Sequence, residues 1–244
     1  MSRPLTLIHG WGMSPAVWTS LRAGFAATHE VFTPALPGHD AHCDRAIDEG
    51  DWVAKLVDAL PDQSAVIGWS LGGQLAMRIA IDHPHKVSRL VLVGTTPCFV
   101  QQPGWTHALD ADTVTGFRNE FANDPSQTLK RFVALQAMGE ADRKGLSREL
   151  GKALIPVDSD NAGTLARGLD LLSTIDLRSE LSRIGCPVRI FHGSKDALMP
   201  EGAAHWLADH IESAQLTCFD DAGHAPFLSR PEEFRRLVRR FLDG

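Results

Sequence analysis

The stretch Ser64-Ala65-Val66-Ile67-Gly68-Trp69-Ser70-Leu71-Gly72-Gly73 limits the possible folds more than any other. An apolar run ends in Gly-x-Ser-x-Gly, and a helical pattern follows from Gln74 to Ile81. That context predicts a strand turning sharply into a helix, with Ser70 held at the tip of a strained turn. Gly68 and Gly72 supply the small neighbours such a turn needs, and Gly73 lets the helix pack close to the sheet. The Ser70 backbone then sits at a helix N-terminus, where free N–H groups and the dipole favour negative charge.

The flanking sequence repeats the same alternation of strand and helix. Leu5–Ile8 reads as a buried strand ending in the glycine-bearing loop His9-Gly10-Trp11-Gly12-Met13. A helix is expected over 15–25, with Trp18, Leu21 and Phe25 on one face, then a strand at 31–33. Trp52, Leu56 and Leu60 mark a helix over 51–60, and Leu90–Val93 is a run buried on both faces. Continuous apolar runs alternating with amphipathic helices predict an α/β fold, a mostly parallel sheet flanked by helices. The rhythm breaks after Pro97: residues 98–177 show helical patterns at 114–121, 128–138, 143–155 and 164–172, and no strand-like run. This predicts a core formed by 1–97 and 178–244, with a helical cap at 98–177 inserted in it. The sheet resumes at 188–191 and 216–219, with helices expected at 202–211 and 231–242. Because the chain opens on what reads as a central strand, no leading edge strand is expected.

Length and composition narrow the function. A chain of 244 residues suits one large domain, or one domain with an insertion. Hydrophobic content of 43% and charged content of 22% are ordinary for a soluble globular protein, and a net charge of −6 argues against general nucleic-acid binding. No apolar run has the length of a membrane span, and the start does not read as a signal peptide. Cys43, Cys98, Cys186 and Cys218 are scattered, which predicts free thiols and a cytoplasmic protein.

A serine hydroxyl needs a base, and the base needs a group to orient it. In this architecture the partners follow in the order Ser, acid, His, on loops after later strands. Asp196 in His192-Gly193-Ser194-Lys195-Asp196 is the expected acid, and His224 in Gly223-His224-Ala225-Pro226-Phe227 the expected base. Asp220 and Asp221 are alternative acids, but they lie too near His224 in sequence for the usual geometry. His192 ends a strand and reads as structural, and Asp176 as a capping or hinge residue. The oxyanion hole takes one backbone N–H from the residue after the nucleophile, Leu71, and one from the loop after the first strand, Trp11. No metal-ligand spacing is visible, and the implied acyl transfer needs no cofactor.

With those residues in view, the sequence resembles the α/β-hydrolase superfamily along nearly its whole length. The motifs that carry the likeness are His9-Gly10-Trp11-Gly12, Gly68–Gly73, His192–Asp196 and Gly223–Phe227. Within it, the chain is similar to the esterases that cleave the methyl ester of pimeloyl-[acyl-carrier protein] in biotin synthesis. The stretch Arg131-Phe132-Val133-Ala134-Leu135-Gln136-Ala137-Met138-Gly139 is the most specific sign of this. The resemblance implies substrate contacts at Trp11, Ser70, Leu71, Phe132, Val133, Ala134, Leu135, Gln136 and His224. It also implies contacts of Arg131, Lys144 and Arg148 with an acidic acyl-carrier protein; Lys144 and Gln127 stand where that family carries arginines. Residues 118–152 hold seven basic and five acidic side chains, a local positive excess in an acidic chain. Lys144, Arg148 and Lys152 recur at helical spacing and are expected on one face. Phe117, Phe121, Phe132, Leu135 and Met138 are expected to form the apolar underside of the cap, either closing over an acyl chain or as plain cap packing. The protein is expected to act as a monomer on carrier-bound substrate, and on small esters in vitro, without membrane or nucleic acid. The alternatives are a broad short-chain esterase, a carbon–carbon or lactone hydrolase, or a ligand receptor of the same fold without turnover.

Overall fold

A computed structural model of the chain describes residues 3–40 and 48–244, so Cys43 lies outside the described residues. The elements follow one another as β1 (Arg3–Ile8), α1 (Thr19–Phe25), β2 (His29–Phe32), α2 (Glu49–Ala59), β3 (Ser64–Trp69), α3 (Leu71–Asp82) and β4 (Val87–Val93). Four helices come next, α4 (Ala111–Asn123), α5 (Pro125–Gln136), α6 (Arg143–Ala153) and α7 (Ala162–Thr174). The chain then returns through β5 (Val188–Gly193), α8 (Glu201–His210), β6 (Ala214–Phe219), the short α9 (Pro226–Ser229) and α10 (Pro231–Asp243). All described strand pairs are parallel, in the order β2-β1-β3-β4-β5-β6. The first strand is therefore internal to the sheet.

Alternate residues of each strand feed two cores, as the pleat requires. Leu90 and Leu92 of β4 pack with Trp52 and Leu56 of α2, Leu75 and Ile79 of α3, and Leu207 of α8. Val91 and Val93 pack on the other face with Leu21 and Phe25 of α1 and Phe234 and Val238 of α10. Helices on both faces explain why β3 and β4 read as continuous apolar runs rather than alternating ones.

The differences from the sequence reading have local causes. The helix expected over 15–25 opens as a 3-10 turn, Pro15–Trp18, before α1 begins at Thr19. Its first turn lacks a side-chain cap and carries proline at its start. α3 begins at Leu71 rather than Gln74, because the sharp turn itself places Ser70 at the N-cap. Between β4 and α4, isolated bridges join Val100 to Leu109 and Gln102 to Trp105. They are too short to leave a strand pattern in the sequence. Asp176 pairs with Arg178 at 2.7 Å and bridges to Cys98, and it caps no helix.

Candidate active site

The carboxyl ends of β3, β5 and β6 bring the candidate residues together, as expected for ligand sites in parallel sheets. Ser70 has φ 57° and ψ −122°, a region that non-glycine residues rarely occupy and that costs about 1–3 kcal/mol. The turn is held by its backbone. Ser70 N donates to Val93 O at 3.0 Å, and Thr95 Oγ1 donates to Ser70 O at 2.8 Å. Glycine is required beside it for space: a Cβ on Gly68 would lie 2.5 Å from Gly72 O, and one on Gly72 would lie 2.4 Å from Ile8 O and His9 O.

Asp196 and His224 meet in the interior. His224 Nδ1 lies 2.7 Å from Asp196 Oδ2, and neither side chain is exposed. The other carboxylate oxygen, Oδ1, accepts N–H bonds from Leu198 at 2.9 Å and Met199 at 3.0 Å. Burial pushes the Asp196 carboxyl up, but the adjacent His224, then His192 and the Met199 N–H, hold it below the ordinary carboxylate value. An ionised Asp196 makes His224 Nδ1 the donor, which leaves Nε2 as the free acceptor. His224 Nε2 is buried and has no hydrogen-bond partner among the described residues, and the Ser70 hydroxyl makes no hydrogen bond there either. Trp69 ties the two loops together: its indole N–H donates to His224 O at 2.9 Å. The structure thus joins acid and base directly, and it places the serine turn beside them without a serine–histidine hydrogen bond.

Asp220, Asp221 and His192 are engaged in other ways. Asp220 and Asp221 are exposed, and Asp221 N donates to Ser194 Oγ at 3.1 Å. His192 is buried, with Nε2 2.8 Å from Met199 O and 3.9 Å from Asp196 Oδ2. Burial holds its pKa below the ordinary value, so it acts as a neutral strut beneath the acid loop.

Two buried histidines shape the loop after β1. His9 Nδ1 donates to Gly10 O at 2.9 Å, and its Nε2 accepts Leu36 N–H at 3.1 Å. His39 Nδ1 donates to Pro37 O at 2.8 Å, and its Nε2 accepts Gly12 N–H at 2.9 Å. Each is therefore a neutral imidazole using both nitrogens. Burial lowers the pKa of His9 to about 4 and that of His39 to about 3, the latter also through repulsion from His9. The unfolded chain takes up protons near the usual histidine value of about 6.5, well before the folded protein does. This part of the stability is complete above about pH 6.5 and is lost as pH falls toward 4. The thermal midpoint is expected to drop through that window, with losses on the order of 3 kcal/mol per histidine. A His39→Gln variant should show a shallower decline, which thermal melts at stepped pH would measure.

The helices between β4 and β5 reach into the same region. Ile155 N donates to Gly12 O at 3.2 Å, and Ser14 N donates to Ala153 O at 2.7 Å, so the end of α6 braces the loop after β1. Glu140 is buried, and its carboxylate accepts Gly223 N–H at 2.6 Å while facing Arg230 at 3.4 Å. His224 N donates to Gln136 O at 3.3 Å. The segment that carries His224 is thus held from α5 and the turn after it. Sequence reading missed Glu140, His9 and His39 as site residues; His9 alone carries a local sign, as a polar residue between an apolar strand and Gly10.

A cavity of about 370 Å³ lies among α4, α5, α7 and the acid loop, lined by Phe99, Phe117, Phe132, Leu135, Leu172 and Leu198, with Arg118 and Arg131 on its wall. Of the contiguous run expected to touch substrate, Phe132 and Leu135 reach it. Val133 packs toward the sheet, and Ala134 is exposed on the outside of α5, as helical geometry dictates. Gln136 is buried with both side-chain amide atoms unpartnered among the described residues. Trp11 donates from its indole to Leu165 O at 2.8 Å and meets Phe117, Phe121 and Phe132 edge-on. Leu71 is fully buried at the start of α3. Met138 is 38% exposed, so it points away from the apolar underside expected of it. Lys144 and Arg148 are exposed on α6 opposite buried Leu146 and Leu150, and Arg131 is exposed and paired with Glu120.

Comparison with known proteins gives three results. Residues 7–237 match the family model described as the alpha/beta hydrolase family. A protein of Aromatoleum aromaticum named pimeloyl-[acyl-carrier protein] methyl ester esterase is 48% identical over 250 residues, covering 100% of both chains. A protein of Nitrosomonas europaea with the same name is 40% identical, covering 94% of this chain and 92% of its own. Among solved structures, an esterase from Exiguobacterium antarcticum superposes with a TM-score of 0.87 at 21% identity, covering 100% of this chain and 92% of that one. An enol-lactonase from Burkholderia xenovorans LB400 gives 0.85 at 18% identity, with coverage of 100% and 92%. At such identities these structures establish the fold alone.

Proposed function

Because this chain belongs to the alpha/beta hydrolase family, we propose that it is a serine carboxylesterase acting on the methyl ester of pimeloyl-[acyl-carrier protein]. The observation that carries ester hydrolysis is the buried Asp196–His224 pair with Nε2 unpartnered, its loop tied through the Trp69 indole to the strand end that leads into the strained Ser70 turn. The relatives' names carry the choice of substrate.

In the proposed mechanism, Ser70 Oγ attacks the ester carbonyl as His224 Nε2 takes its proton. Asp196 keeps Nδ1 protonated and stabilises the imidazolium. The oxyanion rests on the N–H groups of Leu71 and Trp11. Leu71 begins α3, so its N–H has no partner within the helix. In the loop after β1, Gly12 N–H is committed to His39 and Met13 N–H to Gly10 O, and the Trp11 N–H between Gly10 and Gly12 is the donor assigned to the substrate. His224 returns the proton to the leaving methanol. Water activated by the same nitrogen then releases the acid.

We take residues 98–177 as the cap. The apolar cavity between its helices and Leu198 suits an acyl chain, and the unpartnered amide of Gln136 is a group that a polar substrate atom would satisfy. On the outer surface Arg131, Lys144 and Arg148 would meet the acidic carrier. Reversing the charge of Lys144 and Arg148, which stand clear of the cavity, is expected to lower kcat/KM on carrier-bound ester by about tenfold or more at low salt, and to spare p-nitrophenyl esters. Equal losses on both substrates would show that these charges do not dock a carrier. Complementation of a biotin auxotroph lacking its esterase tests the proposed reading as a whole. Growth supports it. Failure to complement, with brisk turnover of small esters, would favour a broad short-chain esterase.

A further inference from the structure

Away from the Asp196–His224 pair, a second group of chemically active side chains lies where α8 packs on β6. Glu201 and His205 are one helical turn apart on α8, so they share a face. Cys218 faces them from β6. A carboxylate oxygen of Glu201, a ring nitrogen of His205 and Cys218 Sγ all lie within 4.8 Å of one another. We propose that these three side chains form a Zn²⁺ site, with water completing a tetrahedral shell.

The donor set favours zinc. One thiolate, one imidazole and one carboxylate match a borderline-soft ion and suit neither Mg²⁺ nor Ca²⁺, which take oxygen ligands. Zinc–ligand bonds of about 2.0–2.3 Å need the donors slightly closer than they lie now. Glu201 and His205, 40% and 61% exposed, have the freedom to close that gap. Cys218 is half-buried and anchors the group. The carboxylates of Glu201 and Asp220 set a negative field around its sulfur. The same negative field attracts a cation. On binding, the S–H bond breaks, the proton goes to solvent, and the sulfur lone pair enters the metal bond. No ligand motif is visible along the chain because the third donor comes from a different element.

The position gives the ion a structural role. α8 is entered from the loop carrying Asp196, and β6 leads into the loop carrying His224. A metal bridging α8 and β6 would staple the two segments together. This inference stands whether or not the chain hydrolyses esters.

Titration of the purified full-length protein with Zn²⁺ tests it. One equivalent should bind, release a proton and raise the thermal midpoint, while Mg²⁺ should do neither. Cys218→Ala and His205→Ala should each weaken binding by about tenfold or more, with metal-free melting confirming that both variants fold. Co²⁺ should give a thiolate charge-transfer band in the near ultraviolet that Cys218→Ala abolishes. Absence of saturable Zn²⁺ binding would overturn the proposal, as would variants that bind as tightly as the wild type.

Discussion

Replacing Ser70 by alanine is expected to lower ester turnover by about four to six powers of ten and to leave the fold intact. The loss is large because no other hydroxyl is placed at the turn, and His224 would have no nucleophile to deprotonate. Stability should hold because the Ser70 hydroxyl makes no hydrogen bond among the described residues. Alanine also inherits the same positive φ, so the backbone strain is unchanged. Steady-state rates on a methyl ester, read beside thermal melts, would separate the two effects. Residual turnover within a hundredfold of wild type would rule out Ser70 as the nucleophile.

Asp196→Asn is expected to lower kcat by about 10⁴-fold for a different reason. Both carboxylate oxygens are acceptors: Oδ1 takes two backbone N–H groups and Oδ2 faces His224 Nδ1. An asparagine has one acceptor oxygen, and the two backbone donors of Leu198 and Met199 claim it. Its NH₂ group must then point at Nδ1, which becomes an acceptor. The proton moves to Nε2, and the base can no longer receive one from serine. KM should change little, since Asp196 is fully buried and its partners are His224 and the acid-loop backbone. A kcat within tenfold of wild type would mean that another carboxylate orients the imidazole.

Local chemistry explains how much of this could be read from the chain. The glycines around Ser70, the apolar runs of β1, β3 and β4 and the motifs holding Asp196 and His224 each leave a mark within a few consecutive residues. The neighbours of those motifs do not. Glu140 reaches Gly223 across 83 positions, and His39 reaches Gly12 across 27. Nothing near either residue in sequence announces its partner. The run 132–136 is continuous in sequence, yet a helix spreads consecutive side chains around its axis, so Val133 and Ala134 turn away from the cavity that Phe132 lines. Element ends shifted for similar reasons: proline tightened the turn before α1, and the bend at Ser70 started α3 early.

The grip of Glu140 and Gln136 on the strand-to-helix segment bearing His224 limits how this protein can diverge. Exchanging the helical stretch between β4 and β5 for that of a relative would also remove the groups that hold the backbone of Gly223 and His224. Grafts meant to retune chain-length selectivity should therefore falter in turnover unless an acidic residue at position 140 travels with them. Selectivity and chemical competence are, in this chain, inherited together.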